Sequence, residues 1–357
     1  MKMLYSGGGT LGPVTPLLAI HEMLQDEPKY KAVWIGTVDG PEKQLVTAAG
    51  IRFHSIPSGK FRRYISVKNI TDIGRTLLGV FVSIWIIWKE KPDLCVSAGG
   101  FVSVPVHIAA WLTGTPSWVH QQDVRPGLAN KLMAPFAAQI TTVLKGSLVH
   151  FSAKKAVQLG NPIRQSILSG THAEGKKMFH IEKDVPTVLV VGGGTGAEAV
   201  NIMTTEAVQH LDGHANIIHV VGPARSHAQA KRVSELFTWY QMQDFLGPDK
   251  LPHAYALADL VVTRGGFGSI TELAALKKAI IIIPKPGHQE DNVTMIQEKK
   301  AGFILDERLS NGYHLAGTIK QILSDKLLRK SMGEKLHELY PPAKREHIVK
   351  IIDTLVH

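Results

Sequence analysis

The sequence contains the stretch Leu4-Tyr5-Ser6-Gly7-Gly8-Gly9-Thr10-Leu11-Gly12 and a close counterpart of it, Val188-Leu189-Val190-Val191-Gly192-Gly193-Gly194-Thr195-Gly196. In each, a short apolar run leads directly into a glycine-rich loop. A strand that ends in glycines ahead of a helix exposes backbone N–H groups at the positive end of the helix dipole, which suits a phosphate or carboxylate. The two stretches predict two similar halves, each opening with a strand and a glycine loop.

Short apolar runs alternate with segments of helical period along the whole chain. This alternation is typical of parallel strands joined by crossover helices, and it predicts the α/β class. In the first half, strands are expected at Met3 to Ser6, Ala32 to Gly36, Leu94 to Ser97, Ser117 to His120 and Ile140 to Val143. In the second half, they are expected at Thr187 to Val191, Asn216 to Val221, Leu260 to Thr263, Ile280 to Pro284 and Phe303 to Leu305.

With 357 residues, the chain is long enough for two domains. We expect an N-terminal domain over residues 1–165 and a C-terminal domain over residues 166–340, with the boundary after the turn Gly160-Asn161-Pro162-Ile163-Arg164. The charged stretch from Gly170 to Pro186 is interpreted as a linker. Lys335 to His357 is expected to be a helix, and residues 341–357 to return to the N-terminal domain.

The formal net charge of +10 suits an anionic partner, which could be nucleic acid, acidic lipid or a phosphorylated substrate. The basic residues are dispersed and no stacking-aromatic motif accompanies them, which disfavours nucleic acid. Cys95 is the only cysteine and lies in an apolar run, so we expect a core residue. The 17 histidines lack paired ligand spacing, which predicts no metal site.

The N-terminus lacks the features of a signal peptide, so we expect the protein to stay inside the cell. The longest apolar run, Leu77 to Trp88, is shorter than the roughly 20 residues that span a bilayer, so no transmembrane segment is expected.

The segment from Thr263 to Ala275 places two glycines and small residues at a strand-to-helix junction, where an anion can approach the helix N-terminus. Glu272 is expected about one turn inside this helix, where its carboxylate can accept hydrogen bonds from ribose hydroxyls. The alternative is a carboxylate that only stabilises its own helix. The first glycine loop approximates the dinucleotide fingerprint GxGxxG, but the acidic residue that this fingerprint needs is uncertain, with Asp39 the nearest.

The motifs of the chain follow a fixed order: the first glycine loop, Ser97 to Ser103, His120 to Asp123, Gly160 to Arg164, Gly192 to Gly196, Arg264 to Glu272 and His288 to Asn292. This order closely resembles the MurG family of bacterial N-acetylglucosaminyltransferases, which make lipid II and belong to glycosyltransferase family 28. The resemblance covers nearly the whole chain. Its most specific parts are Gly160 to Arg164 and Arg264 to Glu272.

The resemblance implies a GT-B fold, in which two Rossmann-like domains with parallel sheets face an interdomain cleft. The acceptor would bind the N-terminal domain, and UDP-GlcNAc mainly the C-terminal one. Family members transfer GlcNAc, with inversion and without a metal or other cofactor, to the C4 hydroxyl of a muramyl sugar on undecaprenyl diphosphate. The expected protein is therefore a hexosyltransferase of peptidoglycan and cell-wall synthesis, with roles in cell shape and division, on the cytoplasmic face of the cell membrane.

The resemblance also implies roles for individual residues. Glu272 would hold the ribose, Arg164 and Gly266 to Ser269 would neutralise the diphosphate, and Gln289 and Asn292 would face the donor sugar. The remaining donor-binding positions are Thr10, Gly12, Gly194, Thr195, Leu246 and Arg264, with Phe267 and Gly268 inside the diphosphate segment, and the acceptor positions are Gly99 and Gly100.

The chain departs from the family where a catalytic base is expected. The family has a histidine after its first glycine loop, whereas this chain has Pro13, and the family's His-Glu-Gln-Asn appears as His120-Gln121-Gln122-Asp123. Inverting transfer needs a group that takes the proton of the acceptor hydroxyl, and Pro13 and Gln121 cannot take it. Asp123 and His120 are the nearest ionisable candidates. The alternative for Asp123 is to cap the turn before Arg125 or to pair with Arg125.

Apolar residues recur at helical spacing from Ile70 to Trp88, and further apolar residues lie off that stripe. These additional apolar residues predict an interfacial helix that uses Phe81, Trp85 and Trp88 to bind a membrane surface. The nearby basic residues Lys60, Arg62 and Arg63 predict that this surface is anionic. The alternative is a helix buried on both sides.

The leading hypothesis is an inverting GlcNAc transferase that acts on a lipid-linked muramyl acceptor. A glycosyltransferase for another glycolipid is the second hypothesis. A non-catalytic UDP-sugar-binding protein is the alternative from another class, and a UDP-GlcNAc 2-epimerase is disfavoured because it has no use for an exposed apolar helix.

Overall fold

The computed structural model describes residues 1–59, 68–181, 184–192, 197–222, 227–286 and 288–357, with the backbone alone for residues 68–70 and 288–291. The chain divides into two compact units. Unit 1 comprises Met1–Arg164 together with Pro342–His357, and unit 2 comprises Gln165–Pro341. Each unit is built on one parallel sheet, so the predicted α/β class is confirmed.

The described part of unit 1 contains a seven-stranded sheet. Its strands are β1 (Lys2–Ser6), β2 (Lys31–Gly36), β3 (Arg52–Ser55), β4 (Leu94–Ser97), β5 (Ser117–Gln121), β6 (Gln139–Thr142) and β7 (Ala156–Gln158). They are parallel and lie in the order β3-β2-β1-β4-β5-β6-β7. The first helices are α1 (Thr15–Leu24), α2 (Glu42–Ala48), α3 (Lys68–Glu90), α4 (Ser103–Leu112) and α5 (Leu128–Met133), and a 3-10 helix covers Lys145–His150.

The described part of unit 2 contains a six-stranded parallel sheet in the order β10-β9-β8-β11-β12-β13. Its strands are β8 (Thr187–Val191), β9 (Asn216–Val220), β10 (Tyr240–Gln243), β11 (Leu260–Thr263), β12 (Ala279–Ile282) and β13 (Phe303–Ile304). Its helices are α6 (Gln165–Leu168), α7 (His172–Met178), α8 (Glu198–Val208), α9 (Ala228–Leu236), α10 (Leu251–Leu257), α11 (Phe267–Ala275), α12 (His288–Glu298), α13 (Gly312–Ser324) and α14 (Lys326–Leu339).

The sheet of unit 1 is covered on both faces, because successive side chains of a strand point to opposite sides. Met3 and Tyr5 of β1 belong to the core that contains α1. Leu4 belongs to the opposite core, together with α3, α4 and Cys95, as expected for this cysteine. Burial raises the pKa of the Cys95 thiol to about 12, so the thiol stays protonated.

The C-terminal segment is two helices rather than the single helix expected from Lys335 onward. Helix α14 ends at Leu339, and a last helix, α15, covers Arg345–Val356. Pro341 and Pro342 lie between them and lack the N–H groups that a continuous helix needs. Ile348 and Ile352 of α15 are buried in the core of unit 1 that contains α1.

The stretch from Gly170 to Pro186, which was interpreted as a linker, lies within unit 2 and includes a packed helix. Thr171 caps α7, its hydroxyl oxygen accepting a hydrogen bond from the backbone N–H of Glu174. A Cβ on Gly175 would lie 2.5 Å from the carbonyl oxygen of His253, so only glycine allows α7 to approach α10 this closely. Phe179 is buried. Charge predicted exposure here but could not show that a glycine and an aromatic residue anchor the segment.

In the described part of the chain, one helical segment, Thr71–Glu90 of α3, is long and apolar enough to cross a membrane by length and composition. The helix is longer than the apolar run Leu77 to Trp88, because it continues beyond that run in both directions. The inner side of α3 buries Val80, Ile86 and Ile87 in the core that contains α4.

Helix α3 ends in an ion-pair cluster around the buried carboxylate of Glu90. The carboxylate of Glu90 accepts hydrogen bonds from Lys2 Nζ at 2.7 Å, His54 Nε2 at 3.1 Å and Arg52 Nη1 at 3.3 Å. Burial alone would raise the pKa of Glu90, but the hydrogen bonds from Lys2 and His54 lower it to about 2. The cluster fixes the C-terminal end of α3 to β1 and β3.

Candidate functional site

In unit 2, the N-terminus of α11 has the geometry of an anion site. Gly265 has φ +83°, and a Cβ there would lie 2.8 Å from Cγ2 of Ile282, so only glycine fits. Gly266 is the N-cap, and a Cβ at this position would have no atom within 4 Å. The first N–H groups of α11 have no partners within the helix itself. An anion beside Gly266 would meet these N–H groups and the positive end of the helix dipole.

The side chains of α11 divide between its core and its open side. Phe267 is buried, and its ring packs edge-on against Tyr340 with the centroids 5.3 Å apart. Gly268 and Ser269 are half-buried. Glu272 lies in the second turn and is only 6% exposed. A carboxylate stabilises its own helix mainly from the first turn, which weakens that alternative for Glu272.

Arg264 follows β11 and crosses the ends of the neighbouring strands. Its Nη1 donates to a carboxylate oxygen of Glu307, after β13, and to the backbone oxygen of Ile283, after β12, at 3.4 Å. Part of the guanidinium is therefore engaged within unit 2. An arginine has five N–H donors, so others remain for a diphosphate.

Two of the other expected donor residues lie in the core. Leu246 is 4% exposed and Asn292 is 2% exposed, and the backbone oxygen of Asn292 accepts a hydrogen bond from Tyr340 Oη at 3.2 Å. Arg164 is half-buried and is the last residue of the segment Met1–Arg164 of unit 1. Gly194 and Thr195 lie outside the described residues, as does the side chain of Gln289, whose backbone belongs to α12.

In unit 1, the first glycine loop is held by hydrogen bonds at three points. Its Gly7 oxygen accepts from Trp34 Nε1 at 3.0 Å, its Gly12 oxygen accepts from Gln122 Nε2 at 3.1 Å, and its Gly9 N–H donates to Glu42. Thr10 and Gly12, two expected donor positions, are exposed. The loop is thus fixed in place while its tip remains accessible.

The loop after β4 packs directly against the first glycine loop. Gly99 and Gly100 have φ of +111° and +87°, a region that favours glycine. A Cβ on Gly100 would lie 3.0 Å from the backbone oxygen of Gly8. A Cβ on Gly9 would lie 2.6 Å from the ring of Phe101. The glycines therefore allow the two loops to lie against each other at the carboxyl ends of β1 and β4.

His120 lies in the core of unit 1 and has no exposed surface. Its Nδ1 lies 2.8 Å from Thr141 Oγ1, which also accepts a hydrogen bond from Trp118 Nε1, and its Nε2 lies 3.1 Å from Asn161 Oδ1. Burial lowers the pKa of His120 to about 4, although the hydrogen bond with Asn161 opposes this shift. Both ring nitrogens have partners, which argues against His120 as a base for an acceptor hydroxyl.

Asp123 is exposed in the loop after β5. Gln121 fixes this loop, because its Nε2 donates to the backbone oxygen of Asp123 at 2.7 Å and its Oε1 accepts from Asn130 Nδ2 at 2.5 Å. Gln122, the residue before Asp123, contacts the first glycine loop. Asp123 therefore lies at the same edge of the sheet as the glycine loops.

Two buried amide oxygens lie beside these loops, and the sequence did not predict them. Within the described residues, Asn130 Oδ1 and Gln122 Oε1 have no hydrogen-bond partner. A Cβ on Gly99 would lie 3.4 Å from Asn130 Oδ1, so this oxygen is close to the second loop. Buried acceptors are normally satisfied, and these two could take hydrogen bonds from hydroxyl groups of a sugar. Gln122 belongs to the motif from His120 to Asp123, whereas Asn130 lies in no motif of the sequence.

The outer side of α3 is apolar. Phe81, Trp85 and Trp88 are 69%, 57% and 67% exposed. Ile73, Leu77 and Leu78 are also at least half exposed. The alternative of a helix buried on both sides is therefore wrong. The basic residues Lys60, Arg62 and Arg63 lie outside the described residues.

Among the residues that the structure describes, no three His, Cys, Asp or Glu side chains lie close enough together to hold a metal ion.

The sequence matches known proteins along most of its length. Residues 3–142 match the glycosyltransferase family 28 N-terminal domain, and residues 187–351 match the glycosyltransferase family 28 C-terminal domain. A curated relative from Clostridium kluyveri, the UDP-N-acetylglucosamine--N-acetylmuramyl-(pentapeptide) pyrophosphoryl-undecaprenol N-acetylglucosamine transferase, is 33% identical over 361 residues. The alignment covers 99% of this chain and 98% of the relative.

Solved structures share the fold. A crystal structure of MurG from Acinetobacter baumannii aligns with a TM-score of 0.72 and 24% identity, covering 99% of both chains. UDP-GlcNAc 2-epimerase from Neisseria meningitidis, bound to UDP-GlcNAc, aligns with the same TM-score of 0.72 at 12% identity. This alignment covers 99% of this chain and 100% of the epimerase chain. The fold is thus GT-B, as the sequence implied, but the fold alone does not separate transfer from epimerisation. The two matched domains make that distinction, and the chain belongs to glycosyltransferase family 28.

Proposed function

We propose that this protein transfers GlcNAc from UDP-GlcNAc, with inversion, to the C4 hydroxyl of a muramyl sugar on undecaprenyl diphosphate, which makes lipid II for peptidoglycan. The observation that carries the proposal is the open N-terminus of α11, with Gly265 in the left-handed region and Glu272 behind it. The name of the full-length Clostridium kluyveri relative supports the choice of donor and acceptor.

The donor would be held by unit 2. The N–H groups at the start of α11 favour the diphosphate, and they also stabilise the charge that develops on UDP as it leaves. Arg264, at the end of β11, would offer the diphosphate the N–H donors that its pairing with Glu307 leaves over. Glu272 accepts hydrogen bonds from the ribose hydroxyls. The proposal involves no metal ion, because the N–H groups at the start of α11 and those of Arg264 would together hold the diphosphate.

The acceptor would be held by the loops of unit 1. Asp123 takes the proton of the C4 hydroxyl as its oxygen attacks the anomeric carbon from the side opposite UDP. The exposure of Asp123 and its place beside the first glycine loop support this role, whereas the burial of His120 argues against the other candidate. The free oxygens of Gln122 and Asn130 would accept hydrogen bonds from sugar hydroxyls.

The protein would work on the cytoplasmic face of the membrane, as a peripheral protein. The outer side of α3 supports this, because exposed tryptophans and phenylalanine on one helix face suit the lipid–water interface. The inner side of α3 is committed to the core of unit 1, which favours contact over crossing. The net charge of +10 suits anionic lipid headgroups.

The direct test supplies UDP-GlcNAc and lipid I in detergent and measures both lipid II and released UDP. Lipid II in a one-to-one ratio with UDP is expected, at a rate that excess EDTA leaves within about twofold. UDP release onto another glycolipid, but not onto lipid I, would indicate a different acceptor. UDP-GlcNAc binding without any transfer would support a non-catalytic binding protein instead.

A further inference from the structure

Glu42 is a buried acidic residue to which no role has been assigned. It is the first residue of α2 and has no exposed surface. Its Oε1 accepts hydrogen bonds from the backbone N–H and the hydroxyl of Thr37, at 2.7 and 2.6 Å. Its Oε2 accepts from the backbone N–H of Gly9, in the first glycine loop, at 3.1 Å. One carboxylate thus joins the loop after β1 to the end of β2.

Three glycines make the space that this carboxylate occupies. A Cβ on Gly8 would lie 2.1 Å from Glu42 Oε1, and a Cβ on Gly40 would lie 2.0 Å from Glu42 Oε2. A Cβ on Gly36 would lie 3.0 Å from Oε1. Any other residue at Gly8 or Gly40 would collide with the carboxylate. The cavity therefore fits a carboxylate group, and Glu42 fills it.

The position of this carboxylate is chemically distinctive. A glycine loop between the first strand and first helix of such a unit is where backbone N–H groups bind an anion. Here the N–H of Gly9 is already bound to an anion that belongs to the chain. A charged acceptor gives a stronger hydrogen bond than a neutral one, so a ligand phosphate would have to displace a well-bound carboxylate.

We infer that Glu42 is a positioning residue that serves as the internal anion of the first glycine loop. It holds Gly9 to Gly12 in the conformation needed for transfer and occupies the N–H of Gly9, which a ligand phosphate therefore cannot use. This role rests on the proposed transferase activity. Asp39, the acidic residue that the sequence brought forward for this region, is exposed.

The loop has little freedom once Gly9 is fixed. Gly9 has φ +81° and faces the ring of Phe101, and Gln122 holds the oxygen of Gly12 from the loop that carries Asp123. A shift of Gly9 would therefore disturb the loops after β4 and β5 as well. Loss of the Glu42 carboxylate should slow transfer without weakening the affinity for UDP.

The test compares Glu42→Gln with wild type in the full-length protein. Glutamine keeps the size of the side chain but has only one oxygen, so its amide group would present a donor to the N–H of either Thr37 or Gly9. Glu90→Gln is the matched control, because Glu90 is also a buried carboxylate of unit 1 with three hydrogen-bond partners. It differs from Glu42 in its position, at the C-terminal end of α3. Circular dichroism sets a temperature at which all three proteins are folded.

Three measurements decide the outcome. For Glu42→Gln, kcat should fall about tenfold or more, the Kd for UDP by calorimetry should stay within twofold, and hydrogen exchange should rise in the peptide that contains residues 7–12. Glu90→Gln should leave kcat and the exchange of that peptide near wild type. Unchanged exchange or unchanged kcat in Glu42→Gln, an equal loss of kcat in Glu90→Gln, or weakened UDP binding would each overturn the role.

Thr37→Val provides a milder variant in case Glu42→Gln does not fold. It removes only the hydroxyl donor to Glu42 and should give a smaller rise in exchange of residues 7–12, and unchanged exchange there would count against the role. If wild-type protein does not make lipid II, the proposed function fails. The exchange measurements still decide whether Glu42 holds the loop.

Discussion

Nε2 of His120 lies 3.1 Å from Oδ1 of Asn161, and this contact joins the end of β5 to the Gly160-Asn161-Pro162-Ile163-Arg164 turn. The backbone oxygen of Asn161 in turn accepts a hydrogen bond from the N–H of Ala343 at 2.9 Å. Asn161 thus connects a core histidine to the returning C-terminal segment. One of the two most specific motifs of the sequence therefore has a structural role in unit 1.

The first prediction concerns acid stability. Because burial lowers the pKa of His120 from 6.5 to about 4, the unfolded chain binds a proton more readily than the folded one. The neutral form of His120 therefore contributes fully to the unfolding free energy above pH 6.5, and this contribution is lost as the pH falls toward 4. Each unit of pH across this range should cost up to about 1.4 kcal/mol from this group.

Urea unfolding at several pH values checks this prediction. His120→Gln should reduce the slope of the unfolding free energy against pH between 6.5 and 4, and the slope that remains includes the buried His107 and His219, whose pKa values burial also lowers. Equal slopes for wild type and His120→Gln would contradict it.

The second prediction concerns the base. Asp123→Asn should reduce turnover by at least about 100-fold, because the amide cannot take the proton of the acceptor hydroxyl. The affinity for UDP-GlcNAc should be unchanged. Asp39→Asn, which replaces another exposed carboxylate that follows a strand of unit 1, is the control and should retain turnover. Near-normal turnover of Asp123→Asn would rule out Asp123.

The third prediction concerns the donor. Glu272→Ala should weaken UDP binding about tenfold, which corresponds to about 1.4 kcal/mol, because it removes the acceptor for the ribose hydroxyls. Calorimetry with UDP measures the effect. Glu298→Ala, at an exposed position of α12, should bind UDP as wild type does. Unchanged affinity in a folded Glu272→Ala protein would move the nucleotide away from α11.

The fourth prediction concerns the membrane. Wild-type protein should co-sediment with anionic vesicles more than with neutral ones, since both the apolar side of α3 and the positive net charge contribute. Replacing Phe81 and Trp85 together by serine should abolish most of the recovery. The same change at Leu236 and Leu327, which are exposed in unit 2, should have little effect. Equal recovery with both kinds of vesicle would remove the electrostatic contribution.

All ten strands expected from apolar runs are present, with ends that differ by no more than two residues. Three strands were missed, namely β3, β7 and β10, and each lies at the edge of its sheet. An edge strand has a neighbour on one side only and is partly exposed, so it can carry polar residues such as Arg52 and Ser55. Apolar runs identify the central strands of a parallel sheet, because these are buried on both faces.

The candidate site was less predictable than the fold. The glycine loops and Glu272 are visible in the sequence because they lie in local motifs at strand-to-helix junctions. The burial of His120, Leu246 and Asn292 depends on packing between distant elements, which no local pattern records. Glu42 was missed for the same reason, since its partner Gly9 lies 33 residues earlier in the chain.

Helix α15 also affects how the chain folds during synthesis. Domains generally fold as units, the N-terminal one first, as they leave the ribosome. Unit 1 cannot follow that order to completion, because Ile348 and Ile352 belong to its core and are translated after the whole of unit 2. Unit 2 is continuous from Gln165 to Pro341, so it can fold while unit 1 still lacks α15. The half of the protein that is translated first is therefore the half that is finished last.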